Sequence, residues 1–198
     1  MSERRPSARR PGKAAIMRAA VVVIGEHGFD GASTRDMAAR AGVSVAALYH
    51  HFPSKLGLLT EFLDEAYDIT LSRLDRRLDG VEGAADRLGT AVATLIWTHL
   101  HDEFAQMASI VAFREYVQLK PADRAAVEVR RQALLDRFES IVDEGVAEGT
   151  FEVDDPREAA RAIVTLSSSL VGVFAETDDD LDAVITRYRR YCLRIVGA

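Results

Sequence analysis

Residues 29–55 read FDGASTRDMAARAGVSVAALYHHFPSK, and this stretch decides the fold. Ser33 and Thr34 precede a run with Asp36 in its first turn, a helix start. Met37, Ala38 and Ala41 give that helix an apolar face. Gly42 breaks it, Val43 packs back, and Ser44 caps a second helix from Val45 to about His51. Pro53 forbids continuation. Two short helices joined through Gly42-Val43-Ser44 form the helix-turn-helix pattern. Its logic is geometric: the major groove of a duplex admits one α-helix, while the preceding helix braces it against the backbone. Many αα-corners share this spacing, so the pattern alone leaves other readings open.

Working outward, a first helix is expected from about Lys13 to His27, with Ile16, Ala19, Ala20, Val23 and Ile24 on one face and Gly28 ending it. Residues 1–11, with Pro6, Pro11 and four arginines, are expected to form a disordered basic arm. Ser54 starts a long helix over 55–78, with Leu58, Leu59, Phe62, Leu63, Ala66, Ile69 and Leu74 at helical spacing. Further helices are expected over 84–100, 102–119, 121–148, 156–175 and 179–196. Asp155-Pro156-Arg157-Glu158 makes a strong start: Asp155 as cap, Pro156 at the first helical position, Glu158 near the orphan amides. No stretch shows the alternation of a half-buried strand, and no repeat recurs at a fixed period. The expected fold is all-α: a three-helix N-terminal domain over 12–57, joined by a long helix to a larger helical bundle within 58–198.

Composition fits this. The chain has 198 residues, 48% hydrophobic and 28% charged, the make-up of a soluble globular protein. Its longest uncharged run, Ala162 to Ala175, falls short of the roughly 20 residues a bilayer span needs, so no membrane partner is expected. The N-terminus lacks the apolar segment of a secretory signal. A single cysteine, Cys192, excludes an internal disulfide framework and a cysteine-rich metal site, and points to a cytoplasmic setting. The net charge of −6 hides a split. Residues 1–55 hold nine basic residues against four acidic ones, a net +5 that leaves −11 for the rest. Such asymmetry marks a part of a chain that meets a polyanion, although a solvated tail carries it too.

The literal residues are more specific. The run 29–44, followed by Leu48-Tyr49-His50-His51-Phe52-Pro53-Ser54-Lys55, resembles the DNA-binding domain of the TetR family of bacterial transcription regulators, over residues 13 to about 62. The resemblance implies that Thr34, Ser44, Tyr49, His51 and Lys55 contact phosphates, with Arg35 also among the DNA contacts. Each offers a donor, and Lys55 opens a helix whose free amides favour an anion. It also implies that Val45, Ala46, Ala47 and His50 face base edges. A glycine is usual at position 46. Small apolar groups there suit a thymine methyl, and His50 can donate to a base or a phosphate. Leu48 and Phe52 read as core.

The same resemblance implies a homodimer with an effector cavity in the larger domain: a repressor on a palindromic operator, released by a small lipophilic effector. The dimer face is expected on the last two helices. Ala160, Val164, Ser167, Val171 and Phe174 lie on one, and Leu181, Val184, Tyr188, Tyr191 and Ile195 on the other, making a self-complementary two-fold contact. Phe62, Trp97, Phe104, Met107, Phe113, Arg114, Phe138 and Phe174 are the candidate effector residues, and His99 and His101 stand out among their apolar neighbours. The segment from Phe113 through Glu144-Gly145 and Phe151 to Asp155-Pro156 resembles regulators of fatty-acid and steroid breakdown that sense acyl-CoA thioesters. The sequence departs from them at Leu170 to Glu176, where aromatic and arginine residues are expected.

A rival reading is a helical small-molecule or metal-binding protein without DNA binding. His99, His101, Asp102 and Glu103 form the one ligand-rich cluster, but i and i+2 do not share a helix face, and no His-x-x-Glu-His spacing accompanies it. No nucleophile elbow or glycine-rich phosphate loop exists either. Neither a metal, a cofactor nor catalysis is expected.

Overall fold

The computed structural model describes residues 12–115, 121–170 and 180–198. Among them the fold is all-α, without a strand. The helices are α1 (Lys13–Gly31), α2 (Thr34–Arg40), α3 (Val45–His51), α4 (Lys55–Leu78), α5 (Ala84–His101), α6 (Glu103–Glu115), α7 (Pro121–Ala147), α8 (Pro156–Ser168) and α9 (Leu181–Ile195). The chain divides into two compact units, one ending at Phe62 and one beginning at Leu63.

The first unit is built on short-range signals. α1 is interrupted at Gly28, whose φ of 75° and ψ of 163° suit only glycine. One short turn follows to Gly31, so the helix extends past the end expected at His27. The amide of Ala32 closes it by donating to the Gly28 carbonyl at 3.0 Å. Ser33 caps α2 through the Asp36 amide, and Ser44 caps α3 through the Ala47 amide, both at 3.1 Å. Each such cap stabilises by about 1 kcal/mol. Between them Gly42 adopts a φ of 67°, and the Val43 amide returns to the Ala38 carbonyl at 3.0 Å. The interior consists of Ile16, Met17, Ala20 and Ile24 from α1, Met37 and Ala38 from α2, Leu48 and Phe52 around α3, and Leu58, Leu59 and Phe62 from α4.

In the second unit α5 is the central element, touching α6, α7, α8 and α9. Leu88, Val92, Leu95 and Ile96 of α5 join Phe138, Ile141 and Val142 of α7, Ala160 and Ile163 of α8, and Val184, Cys192 and Val196 of the C-terminal segment in one core. Gly145 explains the sequence signature after α7. A Cβ there would lie 2.1 Å from a ring carbon of Phe151, a buried side chain, so the aromatic residue closing the turn needs a glycine six positions earlier. The amides of Thr150 and Phe151 both donate to the Gly145 carbonyl, at 2.8 and 3.0 Å. Asp155 caps α8 through the Glu158 amide at 3.1 Å, as its sequence demands.

Two expectations are changed. The helix expected over 102–119 begins one residue later, because Asp102 is its cap: its Oδ1 accepts from the amides of Phe104 and Ala105 at 3.0 and 3.1 Å. Residues 116–120 lie outside the described residues. On the expected dimer face, Ala160, Ser167 and Val184 are buried within the chain itself, because α8 packs on α7 and α5 and because Ser167 sits 3.9 Å from the Cys192 sulfur. Tyr191 and Ile195 remain 41% and 37% exposed, while Val171 and Phe174 lie outside the described residues. No helix among the described residues is long and apolar enough to cross a membrane.

Candidate nucleic-acid interface

The seven residues of α3 split cleanly. Leu48 is completely buried and Phe52, at the C-cap, nearly so, which fixes the helix's rotation. The opposite side then carries Ala46, Tyr49 and His50, all exposed, with Val45, Ala47 and His51 half-exposed. Ala46 and His50, four residues apart, share one strip of the helix surface. No acidic side chain lies in its first turn.

Around this helix the donors nominated from sequence take different places. Tyr49, 44% exposed, directs its hydroxyl to Thr34 Oγ1 at 3.4 Å, which brings the first residue of α2 and the middle of α3 to one spot. Arg35 is exposed beside Thr34, and Ser44 is exposed at the start of α3. The rings of His50 and His51 meet edge to face, 5.4 Å apart.

Lys55 differs. Its ammonium donates to the carbonyls of Phe29 and Ala32, at 2.5 and 3.1 Å, and lies 4.5 Å from the centre of the Phe29 ring. Two of its three protons are thereby spent on closing the end of α1. The first-turn amide of Gly57 is also engaged, donating to Ser54 Oγ at 2.9 Å. Arg40 makes a two-pronged contact with Glu26, at 2.9 and 3.0 Å, that ties α2 to α1. Neither Glu26 nor Phe29 was nominated from sequence. Their partners are 14 and 26 residues away, on other helices, and no periodicity signals such a pair.

Of the candidate effector residues, five have described side chains. Phe138 and Phe104 are buried in the second unit, and Met107 is half-buried. Phe62 is buried in the first unit. Trp97 lies on the outer face of α5, 37% exposed, stacked on His101 at 4.9 Å, with the Arg73 guanidinium 5.3 Å from its ring centre. Residues 97 and 101 share the face opposite the buried Leu95 and His99, so the tryptophan cannot join the core. Phe113 and Arg114 belong to α6, but their side chains, like Phe174 as a whole, lie outside the described residues.

The His99-to-Glu103 cluster is dispersed. His99 points inward, and burial lowers its pKa from 6.5 to about 4, so the imidazole is neutral. Asp102 pairs with Arg73 at 2.7 Å. Burial pushes its carboxyl up, but the Ala105 and Phe104 amides and the Arg73 guanidinium outweigh this and hold it below the ordinary range. Among the described residues no group of three His, Cys, Asp or Glu side chains is placed to hold a metal ion.

Residues 16–62 match the family described as bacterial regulatory proteins, tetR family, and residues 81–196 match the tetracyclin repressor-like C-terminal domain. The HTH-type transcriptional repressor KstR2 of Mycolicibacterium smegmatis is 26% identical over 140 residues, 70% of this chain and 67% of that protein. The alignment with the HTH-type transcriptional regulator UidR of Escherichia coli, 28% identical, spans 52% of this chain and 50% of that protein. A regulatory protein in the tetR family from Rhodococcus RHA1 superposes with a TM-score of 0.84 at 26% identity, covering 94% of this chain and 97% of that one. AibR, solved with isovaleryl coenzyme A and operator DNA, superposes with a TM-score of 0.80 at 20% identity, covering 89% and 95%.

Proposed function

The chain belongs to the tetR family of bacterial regulatory proteins, and from that membership we propose a homodimeric repressor that binds a palindromic operator and is released by a small lipophilic effector. In this reading residues 12–57 read DNA, with the basic residues before Gly12 adding charge toward the phosphates, and residues 58–198 hold the effector and the dimer contact.

The observation that carries the reading is the outward face of α3. A helix of seven residues, pinned by Leu48 and Phe52, presents Ala46, Tyr49 and His50 to solvent beside the Thr34 hydroxyl. In this reading Tyr49, Thr34, Ser44 and Arg35 donate to backbone phosphates, and Val45, Ala46, Ala47 and His50 meet base edges. His51, half-exposed, stands beside the phosphate set. Lys55 acts first by bracing α1 against the start of α4, with one proton left over for a phosphate.

Two heads reach successive major grooves only when their reading helices stand about 34–36 Å apart along the duplex. An effector that binds a wrongly spaced state more tightly lowers operator affinity by that difference in affinity and no more. The structure of AibR contains isovaleryl coenzyme A, and an acyl-CoA thioester or another molecule with a lipophilic chain is the effector class proposed for this chain. Phe104, Met107 and Phe138 are the nominated side chains that the fold places inside the second unit.

Selection of bound fragments from a genomic pool tests the reading directly. A palindrome of roughly 15–25 base pairs is expected, with affinity falling steeply as salt rises. Binding without sequence preference or salt dependence would defeat it. On the selected operator, Tyr49→Phe removes a phosphate donor and is expected to weaken binding by roughly fivefold on every sequence variant, about 1 kcal/mol. His50→Ala is expected instead to change which base is preferred at one position of each half-site. A uniform loss for His50→Ala, or none for Tyr49→Phe, would reverse these assignments.

A further inference from the structure

Four buried side-chain polar atoms among the described residues lack a hydrogen-bond partner. One, Arg87 Nε, lies 3.1 Å from Glu144 Oε2 and so has a counter-charge. The other three, Arg73 Nη1, Thr98 Oγ1 and His99 Nδ1, fall together at the last turn of α5 and the part of α4 beside it. Buried polar groups are almost always paired, so three unpaired ones in adjoining places call for a physical reason.

Their arrangement is specific. The Arg73 guanidinium reaches from the Trp97 ring, 5.3 Å away, to the Asp102 carboxylate, 2.7 Å away. On the α5 helix Thr98 lies angularly between those two positions, so Arg73 spans the turn that carries the Thr98 hydroxyl. Thr98 is wholly buried, and His99, the next residue, is 8% exposed. Nη2 of Arg73 serves Asp102, while Nη1 is a buried donor with nothing to donate to. Phe104 and Ala105, buried at the start of α6, make the adjoining surface apolar.

We propose that this junction of α4, α5 and α6 is the polar end of an effector site and takes an uncharged oxygen-bearing group, a ketone or an alcohol on an apolar carrier. Arg73 Nη1 donates to the oxygen, and the Thr98 hydroxyl gives it a second hydrogen bond. Charge decides against a carboxylate. Asp102 already neutralises Arg73 and stays ionised, and His99 is neutral, so a second anion would meet the Asp102 charge without a cation of its own. The proposal rests on the reading of the second unit as effector-binding, and it narrows the group received at this end of the site to an uncharged one.

The test uses the full chain and its single tryptophan, Trp97, as reporter. Decan-2-one, decan-2-ol and decanoate are titrated into wild type, Thr98→Val and Arg73→Lys, each first checked for cooperative thermal unfolding. The ketone and the alcohol are expected to change Trp97 emission saturably, with decanoate at least about tenfold weaker and Thr98→Val weakening the ketone by about tenfold. Arg73→Lys, which retains a charge for Asp102 but removes Nη1, is expected to weaken it similarly and serves alone if Thr98→Val does not fold. Equal affinity in both variants, decanoate binding as tightly as the ketone, or no saturable response to either neutral probe (a resident water only) overturns the proposal. Operator binding of the same unliganded samples separates the two readings. Probe binding that depends on Thr98, without any operator, removes the repressor and keeps the site; an operator with no dependence on Thr98 removes the site and keeps the repressor.

Discussion

Phe52→Ala is expected to abolish operator binding by unfolding the first unit while leaving the second folded. Phe52 is 1% exposed at the C-cap of α3, and its side chain sets both the end of that helix and its rotation. Truncating a buried phenylalanine costs about 3–5 kcal/mol, because the transfer free energy is lost and a cavity remains. The unit is small, with a share of the total stability of the same order. Thermal unfolding followed by circular dichroism should therefore lose its low-temperature transition, and operator affinity should fall beyond measurement. Retention of both would mean that α3 does not depend on Phe52 for its placement.

Acid should weaken the second unit through His99. Burial lowers the pKa of this imidazole from 6.5 to about 4, so the folded chain holds it neutral where the unfolded chain protonates it. Between pH 6.5 and 4 the unfolded state binds more protons, and stability falls as pH falls. The contribution present above pH 6.5 is lost by about pH 4, roughly 3 kcal/mol at 1.36 kcal/mol per pH unit. Urea unfolding at pH 7.5, 5.5 and 4 measures it, with His99→Gln as the control expected to flatten the pH dependence. An unchanged slope in His99→Gln would assign the acid sensitivity to other groups.

How much of this was legible in the sequence follows the range of the interaction. Ser33, Ser44 and Asp155 act on amides three residues away, so the helix starts they mark are found where their chemistry puts them. Asp102 acts as locally, but an acidic residue suits the first turn of a helix as well as its cap, so its type alone leaves the boundary open by one residue. Lys55 shows the opposite limit. Its place in the motif speaks of phosphate, while its first partners, the carbonyls of Phe29 and Ala32, are set by the tertiary fold. Aromatic identity signals burial without saying in which element's core, which is why Phe62 and Phe138 fall in different units and Trp97 outside both interiors. A stripe of small residues on α8 likewise cannot tell a partner helix of the same chain from one of a second copy. Ala160 and Ser167 are consumed by the first.

The internal pairings of the first unit also set how steeply DNA binding should respond to salt. Each phosphate neutralised on duplex DNA releases counterions, giving a slope of about −0.9 in log affinity against log salt. Nine basic residues over 1–55 suggest about −8 for each head by that rule. Yet Arg40 is answered by Glu26 and Lys13 by Glu61. With such ion pairs subtracted the expected slope is shallower than about −8. The fold thus makes the head a weaker polyelectrolyte than its composition implies, and leaves more of its affinity to the contacts that discriminate sequence.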